Sequence, residues 1–420
     1  MSVAVTGAGV LCAIAADTDA FALALRAGRS GVTARADVGE LEPPFAADLV
    51  GFDLAAAVTA RADLPQPLRR AALRAAARAP LPIQAAVAVA LEAWERAGLH
   101  RVSVPGHRIG IVVAGHNLSG HYTERQRPRY AASPAHLPGR FALHALDTDH
   151  VGTVSQVFGV TGEGYTVGGA SASGNVAIVN AARLVATAAV DVCLVLGALT
   201  DLSPMERQAY FNLGAMAGTR GPDAPHTRSR PFDADREGFV PGQGAACLVL
   251  ESADSATGRG VPPLAWVAGH ALRLDANALA DPSASGEAWA MATAIRRAGL
   301  TPGQVDYVNT HGTGSVLGDA TEVAALHEVF GAARPWINST KGLVGHCLCA
   351  AGVIEAVATV VQMRQGFVHP NANLHRPIDP GHRFVGRRAE PARLSFALSN
   401  GFGFGGFNTS VLFAHAGGDE

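Results

Sequence analysis

Four glycine-rich stretches carry side chains able to do chemistry. GGASASGN (168–175) puts Ser171 at the turn into a helical pattern over 171–188. NTHGTGSVLGDATE (309–322) ends a strand-like run on His311, with Thr313 and Ser315 in the turn beyond it. NSTKGLVGHCLCAAGVIEA (338–356) places Lys341 and His346 ahead of an alanine-rich helix that carries Glu355. LSNGFGFGGFNTS (398–410) is a loop holding Phe402, Phe404 and Phe407. Taken singly, these read as a helix cap, a structural histidine, a solvated lysine and a tight turn with packing aromatics. Taken together they read as a site. Two imidazoles at element junctions can aim N–H donors at one oxygen and stabilise an enolate or oxyanion there. A serine gains nucleophilic strength only from an adjacent base, so Ser171 is open to three readings: nucleophile, hydrogen-bond donor or packing.

The elements that must position these residues follow from pattern. Short β-rich runs such as VAVTGAGV, IGIVVAG, VDVCLVLGAL, AACLVLE, PLAWVAGHAL, VDYVNTHG, RLSFALSN and NTSVLFA alternate with helical patterns over 83–97, 171–188, 287–299 and 319–330. That alternation predicts an α/β protein with sheets covered on both faces. The pattern over 171–188 is small or apolar on every side, which predicts a helix enclosed by protein. Loops are expected over 29–49, 117–140, 214–238 and 366–392, and a turn-rich junction at 252–262 divides the chain into halves 1–253 and 254–420.

Composition narrows the class. The chain has 420 residues, 48% apolar and 16% charged, enough for one large or two fused domains. A net charge of −2 argues against a general nucleic-acid binder. MSVAVTGAGVLC lacks a basic leader and reads as a first strand. The most apolar stretch, 176–200, is broken by Asn180, Arg183 and Asp191, so no membrane span is expected. Five cysteines (Cys12, Cys193, Cys247, Cys347 and Cys349) show no metal-ligand spacing. Reduced thiols, no metal and a cytoplasmic setting are expected.

With those motifs in order across about 250 residues, the sequence resembles the β-ketoacyl synthases (ketosynthases) of fatty-acid and polyketide assembly. The family pattern is Cys-x-S-G, then HGT, then K-x₄-H, then GFGG. Here it reads Ser171 to Gly174, His311 to Thr313, Lys341 to His346, and Phe404 to Gly406. RSRPFDADREGFVPGQGA (228–245) looks like the family's signature loop. The resemblance implies a thiolase-like fold, five layers αβαβα built from two similar halves, in a homodimer. It implies that Lys341, paired with Glu355, holds the His346 region, with Thr313 and Ser315 in support. Phe402 would shape the pocket wall and Phe404 would act as its gate. No bound cofactor is implied, because the substrate arrives on the phosphopantetheine of an acyl carrier protein (ACP). Arg74, Arg78 and Arg220 stand where basic residues dock that acidic partner.

One departure matters most: Ser171 occupies the place of the condensing cysteine. A thiolate there attacks an acyl thioester, whereas a hydroxyl is far less acidic and needs a base. The expected activity is therefore the surviving half-reaction, decarboxylation of malonyl-ACP to acetyl-ACP. His311 and His346 would stabilise the enolate, and Ser171 would fill the thiol's space. Such ketosynthase-like decarboxylases serve polyketide β-branching, upstream of an HMG-CoA-synthase-like enzyme. The alternatives are a condensing synthase carrying an engineered Cys-to-Ser change, and a non-catalytic subunit like the chain-length factors.

Overall fold

The computed structural model describes residues 2–35, 45–218 and 224–417. Runs of Val, Leu, Ile, Ala and Cys form strands buried on both faces, the outcome when helices cover both sides of a sheet. Ten strands join in one sheet: β1 (Val3–Cys12), β2 (Ile109–Ala114), β3 (Gly164–Val167), β4 (Val192–Gly197), β5 (Gly244–Ser252), β6 (Ala265–Leu274), β7 (Tyr307–Asn309), β8 (Trp336–Asn338), β9 (Phe396–Gly403) and β10 (Phe407–His415). Six helices matter to the site: α1 (Leu81–Arg96), α2 (Thr148–Phe158), α3 (Ser173–Ala186), α4 (Ala284–Arg297), α5 (Val316–Phe330) and α6 (Ala351–Gln365).

The spatial order shows a duplication. The first half runs β1-β5-β4-β2-β3 and the second β6-β10-β9-β7-β8. In each half the first two neighbouring pairs are antiparallel and the last two parallel. The halves meet where β1 pairs with β6, Val3 opposite Val267. Helices α1, α2 and α3 occupy the same places in chain order as α4, α5 and α6.

Packing gives the layers. Helices α3 and α6 lie back to back in the middle, contributing Ala177, Ile178, Val357 and Val360 to a core shared with both sets of strands. Helices α1 and α2 cover the first half's outer face through Ala90, Trp94 and Val154. Helices α4 and α5 cover the second through Met291, Ala294 and Leu326. The result is the five-layered αβαβα, thiolase-like arrangement. The central pair approach at glycine: a Cβ on Gly174 would lie 2.7 Å from Gly352 Cα, and one on Gly352 would lie 2.7 Å from Asn175 N.

Several boundaries shift from the sequence reading. The helix expected over 171–188 is a 3-10 turn over Ala170–Ala172 followed by α3, and those expected at 83, 287 and 319 begin two or three residues earlier. The segment 117–140, expected as loop, holds a helix over Gly120–Ala132, with Pro128 inside it masking the pattern. Among the described residues no helix is long and apolar enough to cross a membrane.

Candidate active site

Ser171 sits on a strained elbow. Ala170, immediately before it, has φ +47°, a conformation L-residues rarely adopt. Ser173 pins the turn, its Oγ accepting from Gly169 N at 2.9 Å and donating to the Ala170 carbonyl at 2.7 Å. The Ser171 hydroxyl thereby meets His346, with Oγ 2.8 Å from Nε2.

The direction of that bond decides what Ser171 is. Leu348 N–H donates to His346 Nδ1 at 3.2 Å, so the Nδ1 lone pair is taken. Burial, and Lys341 after it, drives the His346 pKa well below its ordinary value, so the ring is neutral. A neutral imidazole that accepts at Nδ1 carries its proton on Nε2. Nε2–H therefore donates to Ser171 Oγ. His346 holds the hydroxyl as an acceptor and is no base toward it.

His311 stands beside them, its ring edge-on to His346 with centroids 5.7 Å apart. Burial, and after it the Lys341 charge, lowers its pKa well below the usual range too. Its backbone is clamped: Glu322 accepts from His311 N and Gly312 N, both at 2.8 Å. Lys341, 1% exposed, donates Nζ–H to the His311 carbonyl at 2.6 Å and pairs with Glu355. The Lys341 carbonyl accepts from Ser229 Oγ at 2.6 Å, and His346 N donates to the Val240 carbonyl at 2.7 Å. The segment 228–245 thus braces both the lysine and the second histidine.

Ser171, His311 and His346 all open on one cavity of about 660 Å³. Thr313, Ser315, Phe402 and Phe404 also line it. Ser315 Oγ caps α5 by accepting from Gly318 N at 3.1 Å, and Thr313 Oγ1 accepts from Ser315 N. Phe402 is buried, edge-on to His311 with centroids 5.7 Å apart, while Phe404 is exposed on the turn between β9 and β10.

This arrangement has relatives. The Beta-ketoacyl synthase N-terminal domain matches residues 1–256 and the C-terminal domain residues 264–375. The chain belongs to the β-ketoacyl synthase family. It is 37% identical over 409 residues to the polyketide biosynthesis malonyl-ACP decarboxylase PksF of Bacillus subtilis, covering 97% of this chain and 95% of that one. It is 32% identical over 426 residues to the 3-oxoacyl-[acyl-carrier-protein] synthase 2 of Vibrio cholerae, covering 98% of each. Among solved structures, a Beta-ketoacyl synthase from Burkholderia phymatum superposes with a TM-score of 0.86 at 30% identity, over 99% of each chain.

This ketosynthase links Ser171, His346, His311, Lys341 and Glu355 in a chain of hydrogen bonds and ring contacts. Arg74 and Arg78 lie elsewhere, exposed at the end of the helix Gln66–Ala76 and just beyond it. Arg220 falls outside the described residues. Sequence reasoning missed Glu322, although the quoted motif 309–322 ends on it, and missed Asn400, whose Nδ2 donates to Glu322 Oε1 at 3.1 Å. It also missed that Cys349, far from Ser171 in sequence, lines the same cavity. Burial raises the Cys349 pKa, which keeps the thiol protonated.

Proposed function

We propose that this ketosynthase decarboxylates malonyl-ACP to acetyl-ACP for polyketide β-branching, where an HMG-CoA-synthase-like enzyme consumes the product. The observation that carries the reading is the hydrogen bond from His346 Nε2–H to Ser171 Oγ. A hydroxyl whose imidazole partner donates has no base to activate it, so it does not take up an acyl group. Decarboxylation needs no nucleophile. The C2–C3 bond of the malonyl group breaks, CO₂ leaves, and the electron pair moves toward the thioester carbonyl oxygen. His311 N–H and the His346 Nε2–H, shared between Ser171 Oγ and the incoming oxygen, stabilise that charge, each worth about 10²–10³ in rate. Ser171 fills the thiol's space and presents its own O–H to the substrate. Lys341 and Glu355 fix His311 through its carbonyl. The 37% identity to a malonyl-ACP decarboxylase across nearly the whole chain supports the same reading.

The substrate enters on the phosphopantetheine arm, past Phe404 at the cavity mouth. The acidic carrier docks on Arg74, Arg78 and Arg220, an attraction that salt weakens. Strand β3, an open edge of the sheet with exposed or half-buried residues, is where a second copy pairs to form the homodimer.

Intact-mass analysis of malonyl-ACP incubated with the protein tests this. The expected product is acetyl-ACP with unmodified enzyme. Acyl transfer to the protein, or chain elongation gained by Ser171→Cys, favours a condensing synthase instead. Activity only beside a second ketosynthase favours a partner subunit.

A further inference from the structure

The enolate left by decarboxylation must receive a proton, and the histidines and the serine have no readily released one to give, while burial makes the Cys349 thiol a weak acid. Both histidines are neutral, so surrendering the N–H would leave an imidazolate. The serine hydroxyl is likewise too weak an acid. Besides Glu206, which accepts from Ser203 N at 2.8 Å, and the exposed Asp281, four acids line the cavity: Asp275 after β6, Glu287 on α4, and Asp319 and Glu322 on α5.

Three of the four are engaged. Asp275 accepts from Asn408 Nδ2 at 2.6 Å. Asp319 accepts from Phe232 N at 2.7 Å and Gly314 N at 3.0 Å. Glu322 holds the His311 and Gly312 amides and Asn400. Glu287 differs: it is 1% exposed, lines the cavity, and its Oε2 is buried with no hydrogen-bond partner. Among the described residues these acids do not group into a metal site.

We propose that Glu287 is the proton donor that turns the enolate into the acetyl thioester. This rests on the decarboxylase reading above. The Glu287 O–H bond breaks, the proton goes to C2, and the enolate electron pair forms the new C–H bond. Glu287 is left as a carboxylate and regains a proton from water through the cavity mouth. The sum is malonyl thioester plus one proton giving acetyl thioester and CO₂. The surroundings keep this acid loaded. Burial, then the neighbouring charges of Glu322, Asp275 and Asp319, raise its pKa well above the ordinary value. Arg236 lies 3.7 Å from Asp319, so its charge is directed there. Arg273 on β6 stacks over Trp289, and His270 on the same strand is lowered by burial toward neutrality. Strands β9 and β10 carry one titratable side chain between them, His415, which lies at the far end of β10, opposite Ala265.

The test compares wild type with Glu287→Gln and Glu287→Asp on malonyl-ACP, in buffer containing ¹³C-bicarbonate. Glu287→Gln is expected to lower kcat about 10²-fold with KM within twofold, and Glu287→Asp to recover part of it. An acid must be protonated to act, so wild-type kcat falls as pH rises through the raised Glu287 pKa, and Glu287→Gln loses that fall. An enolate without its donor recaptures CO₂, so ¹³C enters the remaining malonyl-ACP with Glu287→Gln and not with wild type. Unchanged kcat in the variant, or a loss of kcat with the same pH profile and no ¹³C exchange, overturns the proton-donor role. A wild-type kcat that stays flat over the whole pH range in which the protein remains folded overturns it too, whether or not the variants fold. A wild type that releases no CO₂ at all overturns the decarboxylase reading instead.

Discussion

The two halves contain the same elbow, and the two elbows do different work. In the first, Ala170 at φ +47° opens a 3-10 turn over Ala170–Ala172 that leads into α3. In the second, Leu348 at φ +50° opens a 3-10 turn over Leu348–Ala350 that leads into α6. Ser171 and Cys349 are the equivalent middle residues. The hydroxyl receives an N–H from His346, whereas the thiol is 3% exposed with its pKa raised by burial. What the second elbow gives the site is the residue ahead of it: Leu348 N–H fixes the tautomer of His346. A strained turn before a helix is therefore not itself a catalytic device. The first elbow presents a side chain, and the second orients one from two residues earlier.

The sharpest way to break that comparison is to remove each contribution in turn. His346→Ala is expected to cut CO₂ release from malonyl-ACP by about 10²–10³, the loss typical of one oxyanion donor. Ser171→Ala is expected to retain appreciable turnover, because both imidazole donors remain when the hydroxyl is removed. Rates for both variants, measured at saturating substrate, decide it. Equal inactivation, with a malonyl ester trapped on Ser171 in the wild type, would make the first elbow a nucleophile mount after all.

A second test bears on the symmetry of the central helices. Gly174 and Gly352 occupy the same place in α3 and α6, and each faces the other's backbone. Both meet backbone at 2.7 Å, and the one side-chain end there, Asn175 Oδ1, belongs to a buried residue bonded to the Ser399 carbonyl, so an added side chain must push a buried helix aside. Gly174→Val and Gly352→Val are each expected to lower stability by about 3 kcal/mol, read as the shift of the denaturation midpoint. Comparable losses are the expected result. A tolerated change at one site only would mean that the halves do not share this contact equally.

The duplication was legible through the family resemblance and not through any repeat in the residues themselves. Ala-Ser-Ala and Leu-Cys-Ala share no pattern, because the elbow depends on backbone angles that several small or apolar residues can be forced into by the helix beyond. The alternation of strands and helices was legible, since burial on both faces demands long apolar runs, and α3 declared its enclosure by having no polar face. The residue set Ser171, His311, Lys341 and His346 was legible as motifs. Its wiring was not: the sense of the Ser171–His346 bond hangs on one amide, Leu348 N–H. Glu287 was hidden for another reason. In SASGEAW it reads as an ordinary acid in the first turn of a helix capped by Ser283, and only the fold places it inside the cavity.

The smallest effect offers the finest contrast, because the two strained residues should answer one substitution with opposite signs. A non-glycine residue in the left-handed region costs about 1–2 kcal/mol. Glycine removes that cost and gives back about 0.4–1 kcal/mol through the freer unfolded chain. Ala170 has only a methyl group to lose, so Ala170→Gly is expected to stabilise the protein by about 0.5 kcal/mol. Leu348 packs with Leu202, Met216 and Phe239 and is 6% exposed. Truncating such a residue costs about 2–5 kcal/mol, which exceeds the strain released, so Leu348→Gly is expected to destabilise. Denaturation midpoints of the two variants measured side by side read the signs directly. A stabilised Leu348→Gly would show that strain outweighs packing at the second elbow. A destabilised Ala170→Gly would show that the positive φ beside Ser171 is held at no cost by its surroundings.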